Sequence, residues 1–338
     1  MMRSQFALML RLDENRLMTK GDVMVSKQAI AIHLLLAVLG MIVLFHRPSL
    51  AAAEGPQEAA PIEARADVDV PPFWLTMFPK WTEPIEPFRV VGDVYYVGSR
   101  GLAVFFLPSD EGHILIDAGL PGQGRYIADQ IEALGYDPSD IRYLINTHAH
   151  FDHSGGFSEL KAITGADLLM SAADAVAAEQ GVYLGSEEVR DYRMPPVSID
   201  QIIEDGHTLT LGPWSLKAEL TPGHSPGCTS WRFSVEEDGK PLDVLLFCSA
   251  TIAANRLVSP PQYAGIIEAY QSTFDKARDW TPDVFLANHP EVFLMEDKVE
   301  RLETEGHSVF IDRTSFPKYI EAKERLFQTA LAQLDVKD

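Results

Sequence analysis

The stretch that most limits how this chain can fold is Asn146-Thr147-His148-Ala149-His150-Phe151-Asp152-His153-Ser154-Gly155-Gly156, directly after the expected strand Ile141 to Ile145. Three imidazoles and one carboxylate within six positions offer four metal-binding atoms on a turn leaving a strand, where side chains converge without crossing a packed core. A purely structural histidine cluster would have to accommodate adjacent imidazoles that repel one another when protonated. The spacing predicts a metal-binding loop.

Two isolated histidines have equivalent settings: His224 in Thr221-Pro-Gly-His-Ser-Pro-Gly227 and His289 in Leu286-Ala-Asn-His-Pro290. Each follows an apolar run and sits in a tight turn. Taken alone, either reads as an ordinary loop histidine. With the cluster they make five imidazoles and one carboxylate, a set that suits two Zn2+ ions with three protein ligands each and positions left for water. A structural zinc would call for four closed ligands, usually including Cys. His33 and His46 fall in an amino-terminal apolar segment, while His113, His207 and His307 stand alone and read as surface or packing residues.

Around these motifs the pattern is layered. Arg89 to Val97, Leu102 to Leu107 and His113 to Asp117 read as a meander, with Gly92-Asp93 as one turn. Gly124 to Leu134 has helical spacing, Ile141 to Ile145 is a buried strand, and Ser154 to Ile163 is a second helix. Leu209 to Leu211, Leu216 to Leu220, Thr229 to Val235 and Leu242 to Phe247 form a second strand set. Ile266 to Arg278 is an amphipathic helix, Val284 to Ala287 a strand, and Tyr319 to Leu334 a closing helix with Pro317 near its first turn. Two strand sets with intervening helices predict an α+β fold of sheets packed face to face and covered by helices. Gly181 to Val197 is the longest irregular stretch and is a candidate loop over a site.

From Ala29 to Phe45 the chain is apolar, preceded by Lys27 and followed by an exit ending Ala51-Ala52-Ala53. Charge, apolar run and small-residue exit are the parts of a secretory signal peptide, with an uncleaved anchor as the alternative. Met24 is a candidate start. We expect residues 1–53 to be removed and 54–338 to form a single periplasmic domain, free of the membrane after cleavage and monomeric by default. The net charge of −21 would repel a phosphate backbone, so nucleic acid is not an expected partner.

The run Thr147-His148-x-His150-x-Asp152-His153-x-Gly155-Gly156, the turn around His224 and the pair His289-Pro290 resemble the metallo-β-lactamase superfamily, specifically subclass B3 metallo-β-lactamases. Narrower likenesses lie in Pro87 to Gly98, Gly112 to Pro121 and Phe310-Ile-Asp312. The resemblance implies an αβ/βα sandwich of two mixed β-sheets flanked by helices, with both metals at one edge. It implies that His148, His150 and His224 hold the first zinc and Asp152, His153 and His289 the second. Asp152, His153 and His224 are thereby the expected catalytic residues. The implied reaction is hydrolysis of the β-lactam amide by hydroxide generated on zinc, with no covalent acyl-enzyme.

The strand end Phe247-Cys248-Ser249-Ala250-Thr251 separates branches of that superfamily. Thioesterase-like and lactonase-like members usually carry a Gly-Asp pair here, whose carboxylate bridges the metals; this chain has no Asp in the stretch. The resemblance implies that Ser249 and Thr251 bind the substrate carboxylate and that Asn255 is a donor near the carbonyl, with ordinary loop polarity as the alternative. A lactone or thioester hydrolase, and an exported zinc-binding protein without catalysis, remain as other readings. Cys228 and Cys248 are placed opposite each other across a hairpin centred near Asp238-Gly239, where an oxidising compartment would allow a disulfide. The other role open to Cys248 is to lean toward the second metal.

Overall fold

The computed structural model describes residue 76 and residues 78–335. The segment 1–53, its expected cleavage point and Trp74 lie outside the described residues. Among the described residues, twelve strands form two sheets. The first holds β1 (Phe88–Val91), β2 (Val94–Tyr96), β3 (Phe105–Leu107), β4 (His113–Ile116), β5 (Ile141–Ile145), β6 (Asp167–Ser171) and β7 (Gln201–Ile203), in that spatial order. It is antiparallel from β1 to β4 and parallel from β4 to β7. The second holds β8 (Thr208–Leu211), β9 (Trp214–Leu220), β10 (Thr229–Glu237), β11 (Lys240–Phe247) and β12 (Val284–Ala287), in the order β12-β11-β10-β9-β8. Only β11 and β12 run parallel there. Both sheets are mixed, as expected.

Side-chain alternation explains the layering, because successive strand residues point to opposite faces. Ile114, Ile116, Ile145 and Leu169 join Trp214, Leu216, Ala218, Trp231 and Phe233 of the second sheet in one buried core between the sheets. Their neighbours Leu115, Leu144, Leu168 and Met170 point the other way, into a second core. Helices α1 (Gly124–Ala133), α2 (Phe151–Ser154), α3 (Phe157–Thr164) and α4 (Ala172–Gln180) follow strands of the first sheet. Of these, α1 covers its outer face with Tyr126, Ile127 and Ile131, and α3 with Phe157 and Leu160. Helices α5 (Ile266–Ala277), α6 (Met295–Glu305) and α7 (Ser315–Asp335) complete the chain. Tyr270 and Phe274 of α5 and Phe316 and Phe327 of α7 close the second sheet from outside.

Several boundaries differ from the sequence reading. The helix expected over Ser154 to Ile163 is two helices separated at Gly155-Gly156, where the chain packs so closely that a Cβ on Gly156 would lie 2.2 Å from the Ala118 carbonyl oxygen. The strand expected from Leu102 begins only at Phe105. β6, α4, β7 and α6 are additions.

Cys228 and Cys248 form a disulfide with Cα atoms 5.8 Å apart, so neither thiol is a metal ligand. The register Trp231↔Leu246 places the two cysteines one residue off direct opposition.

Trp231 couples the core to the strand end that matters. It is fully buried and its Nε1 donates to the Asn146 carbonyl at 2.9 Å, one peptide before Thr147. Trp231→Ala should cost about 3–5 kcal/mol of stability in urea unfolding, the range for deleting a large buried aromatic. A loss below about 1 kcal/mol, within the reach of an ordinary surface change, would contradict this account of the core.

Candidate metal centre and substrate cleft

The cluster lies where β5 ends. Asp117, immediately after β4 and in the left-handed region (φ 67°), accepts from the Thr147 backbone N–H at 2.6 Å and from Thr147 Oγ1 at 2.8 Å. Thr147 in turn gives its carbonyl to the Thr229 N–H at 2.8 Å. With its first residues pinned on both sides, the chain turns into α2, whose opening N–H groups on His153 and Ser154 return to the His150 carbonyl. Ser154 Oγ donates to the His148 carbonyl at 2.8 Å.

The second loop, between β9 and β10, brings His224 alongside. Asp174 of α4 is the clasp: its carboxylate accepts from Ala149 N–H (2.8 Å), Ser225 Oγ (2.9 Å) and Gly227 N–H (2.8 Å). Gly227 is required by this approach, since a Cβ there would lie 2.1 Å from Ser171 Oγ. Burial pushes the Asp174 carboxyl up to about 6. The third loop, after β12, is tied in by Asn288, whose side-chain amide donates to Thr147 Oγ1 at 3.0 Å and whose carbonyl accepts from Ala103 N–H at 2.9 Å.

These ties bring all six expected ligands together. The rings of His148, His150 and His224 have centroids 4.4 to 4.8 Å apart, and their nitrogens fall within 4.8 Å of one another. His148 Nε2 is buried with no hydrogen-bond partner. His224 Nδ1 lies 2.8 Å from the Thr251 carbonyl, which fixes the proton on that nitrogen and leaves Nε2 with a free lone pair. In the other trio, Asp152 Oδ2 is 3.2 Å from His153 Nε2 and 3.5 Å from His289 Nε2, and the two imidazole nitrogens are 3.2 Å apart. His148, Asp152 and His153 also converge within 4.8 Å, so the two trios adjoin.

Electrostatics suits the same purpose. Burial holds the His148 and His150 rings well below the usual imidazole range and His224 at about 4, so all three are neutral ligands at physiological pH. Burial alone would raise Asp152, but His153 and His289 beside it hold its carboxyl well below the ordinary carboxylate range. Neutral nitrogens with a vacant lone pair beside one ionised oxygen are a fit for metal ions and poor as a purely structural cluster.

The trios open into a cleft of about 500 Å³. Trp81, Phe151 and Tyr192 form an apolar side: Phe151 stacks on Tyr192 at 5.6 Å, and the Trp81 ring is 5.7 Å from His289. The Gly181 to Val197 loop thus reaches the site, through Tyr192 and through Tyr183 stacked on His150 at 4.1 Å. The opposite side carries Ser249, Thr251, Tyr319 and Lys323. Ser249 Oγ and Thr251 Oγ1 are 3.0 Å apart. Asn255 sits behind His224, donating to its carbonyl at 2.7 Å and accepting from Tyr183 at 2.9 Å. Asp117, Asp174, Tyr319 and Lys323 escaped the sequence reading. Asp117 had one local signal, an acid closing an apolar strand; the others had none.

The chain matches the Metallo-beta-lactamase superfamily model over residues 97–237. Among solved structures it is similar to BJP-1, a subclass B3 metallo-β-lactamase of Bradyrhizobium japonicum, with 41% identity and a TM-score of 0.74, covering 76% of this chain and 98% of that one. MEM-A1, a subclass B3 enzyme from a soil metagenome library, shows 32% identity and a TM-score of 0.71, covering 76% and 100%. Among curated proteins, an N-acyl homoserine lactonase of Bacillus thuringiensis is 27% identical over 241 residues, 64% of this chain and 85% of its own length. From the fold, the convergent ligand set and these likenesses together, the chain belongs to the metallo-β-lactamase superfamily and by structure to its subclass B3.

Proposed function

We propose that this protein hydrolyses the amide bond of β-lactams with two zinc ions, one held by His148, His150 and His224 and the other by Asp152, His153 and His289. The nitrogen-rich donor set favours zinc. The observation that carries the choice of substrate is the cleft wall from Phe247 to Thr251, which presents Ser249 and Thr251 and no carboxylate. Zinc held by these residues would supply Lewis acidity and make water acidic enough to give hydroxide near neutral pH.

The chain's own groups do the rest. Thr251 holds the His224 ring by its carbonyl and offers its hydroxyl, with that of Ser249, to the substrate carboxylate. Asn255 fixes the His224 backbone, so its amide is engaged with the loop more than with a substrate. Trp81, Phe151 and Tyr192 exclude water from the apolar side of the bound ring system. Asp152, kept ionised, balances cationic charge between His153 and His289.

A second reading has support from the lactonase of Bacillus thuringiensis: the same metal apparatus acting on a lactone. Nitrocefin or a carbapenem should be turned over by the purified protein, lose at least 100-fold in rate on chelation, and recover with added zinc, since the metal provides the nucleophile. Turnover confined to an N-acyl homoserine lactone would refute the lactam assignment.

Asp174 allows a test of the metal arrangement. Asp174→Ala strands three buried donors and frees two ligand-bearing loops, so zinc affinity read by competition with a chromogenic chelator should fall roughly 10–100-fold, as when a ligand's supporting partner is lost. Unchanged affinity in a folded variant would mean that the loops hold the ions without it.

We also propose export to the periplasm, with residues 1–53 removed. The apolar run before Ala53 supports this, as does a disulfide, which persists in oxidising compartments. Mass spectrometry of the mature protein should find Glu54 at its amino terminus, whereas a chain retaining residues 29–45 would indicate an anchor.

A further inference from the structure

Helix α7 does more than close the second sheet. Its Phe316 and Tyr319 pack on Phe247 and Phe285, and this anchorage delivers Tyr319 and, one helical turn later, Lys323 to the cleft wall. The Tyr319 ring lies 5.3 Å from Lys323 Nζ. The Ala250 N–H approaches the Tyr319 hydroxyl at 3.3 Å, so the tyrosine joins the lysine to the segment carrying Ser249 and Thr251. Burial keeps the Tyr319 phenol protonated by pushing it up to about 12.

The charges around Lys323 are otherwise matched. On the same helix Glu324 pairs with Arg278 at 3.0 Å and Glu321 pairs with Arg325. Among the described residues Lys323 has no carboxylate partner, although the chain carries 49 acidic residues against 28 basic ones. A half-buried lysine with an aromatic ring but no carboxylate beside it, lining the same cleft as Ser249 and Thr251, is placed to receive an anion.

We propose that Lys323 is a specificity-determining residue, supplying the cation that recognises the carboxylate of an anionic cyclic substrate and so favouring it over an uncharged one. The inference deepens the lactam reading and rests on it for the identity of that substrate. Lys323 is not one of the six ligand residues, so its contribution is to binding and orientation: the ammonium fixes one end of the substrate while the amide lies toward the trios.

The test uses benzylpenicillin and its uncharged methyl ester. Binding to metal-free protein, where no turnover occurs, is measured by calorimetry for wild type, K323Q, K323E and K323R. Wild type should bind the acid about tenfold more tightly than the ester, the worth of one charge-assisted contact, with the preference shrinking as salt is raised. K323Q should abolish the preference, K323E reverse it, and K323R retain most of it. In zinc-loaded protein, the K323Q defect on the acid should fall mainly in KM. Equal binding of acid and ester by wild type, or an undiminished preference in K323Q, overturns the proposal. If loaded wild type fails to hydrolyse the lactam while the Lys323-dependent preference persists, the carboxylate site stands and the reaction assigned to it falls.

Discussion

The buried carboxylate of Asp174 is the interaction on which the rest of the site depends. It has no cation beside it; it is stabilised by two backbone N–H groups and one hydroxyl, drawn from the loops that carry His150 and His224. Holding an ionised carboxyl there is costly. Burial raises its pKa from 3.8 to about 6, so the native state binds the proton more tightly than the unfolded chain. The penalty therefore grows as pH rises between those values and is complete above them, at about 3 kcal/mol. A neutral side chain would avoid that penalty, but none accepts three hydrogen bonds from such divergent directions. Asp117 solves the same problem for Thr147. Two clasps thus tie the loops that carry the ligands to the fold.

That organisation explains which parts of the molecule were legible in the sequence. The cluster from His148 to His153 was readable because its members lie within one turn after a strand, and the strand declared itself by five consecutive residues of β character. His224 and His289 were readable through their tight turns and by addition to the cluster. Asp174 was not, because its partners are 25 to 53 positions away and its own helix, Ala-Ala-Asp-Ala-Val-Ala-Ala-Glu-Gln, has no clear apolar stripe. Helix α6 was missed for a different reason: Met295, Val299 and Leu302 recur at helical spacing, but they are the only apolar residues in Met-Glu-Asp-Lys-Val-Glu-Arg-Leu-Glu-Thr-Glu, which buries only Met295 and Lys298. The disulfide stayed open because sequence gives the spacing of two cysteines across a hairpin but not the one-residue offset that brings them to a bonding distance.

The site's location follows from topology. β5 belongs to the parallel part of the first sheet and β12 runs parallel to β11, so the loops after β5, β11 and β12 emerge at one edge. The loop between β9 and β10 reaches that edge as well. Helices reach it through α2, which begins inside the ligand run, through Asp174 of α4 and Tyr270 of α5, which tie its loops, and through α7, which arrives last and from outside. The metals' surroundings are thus built from the central strands, while much of the substrate-facing wall comes from Trp81, the 181–197 loop and α7. A shared metal apparatus with a separately sourced wall lets one fold serve lactams and lactones alike.

Net charge sharpens the question of how such a wall would select an anion. Outside the first 53 residues, which contribute +3, the chain carries −24, and a field of that sign opposes the approach of any carboxylate. At physiological ionic strength, however, exposed charges more than about 8 Å away are largely screened, whereas a half-buried cation at the cleft acts at contact distance in a less polar medium. The cleft lining includes the cation of Lys323 and the carboxylate of Glu291. A neutral lactone would gain nothing from the ammonium and would leave it partly desolvated. An anionic lactam would instead offset that desolvation, which is the physical content of the role proposed for Lys323.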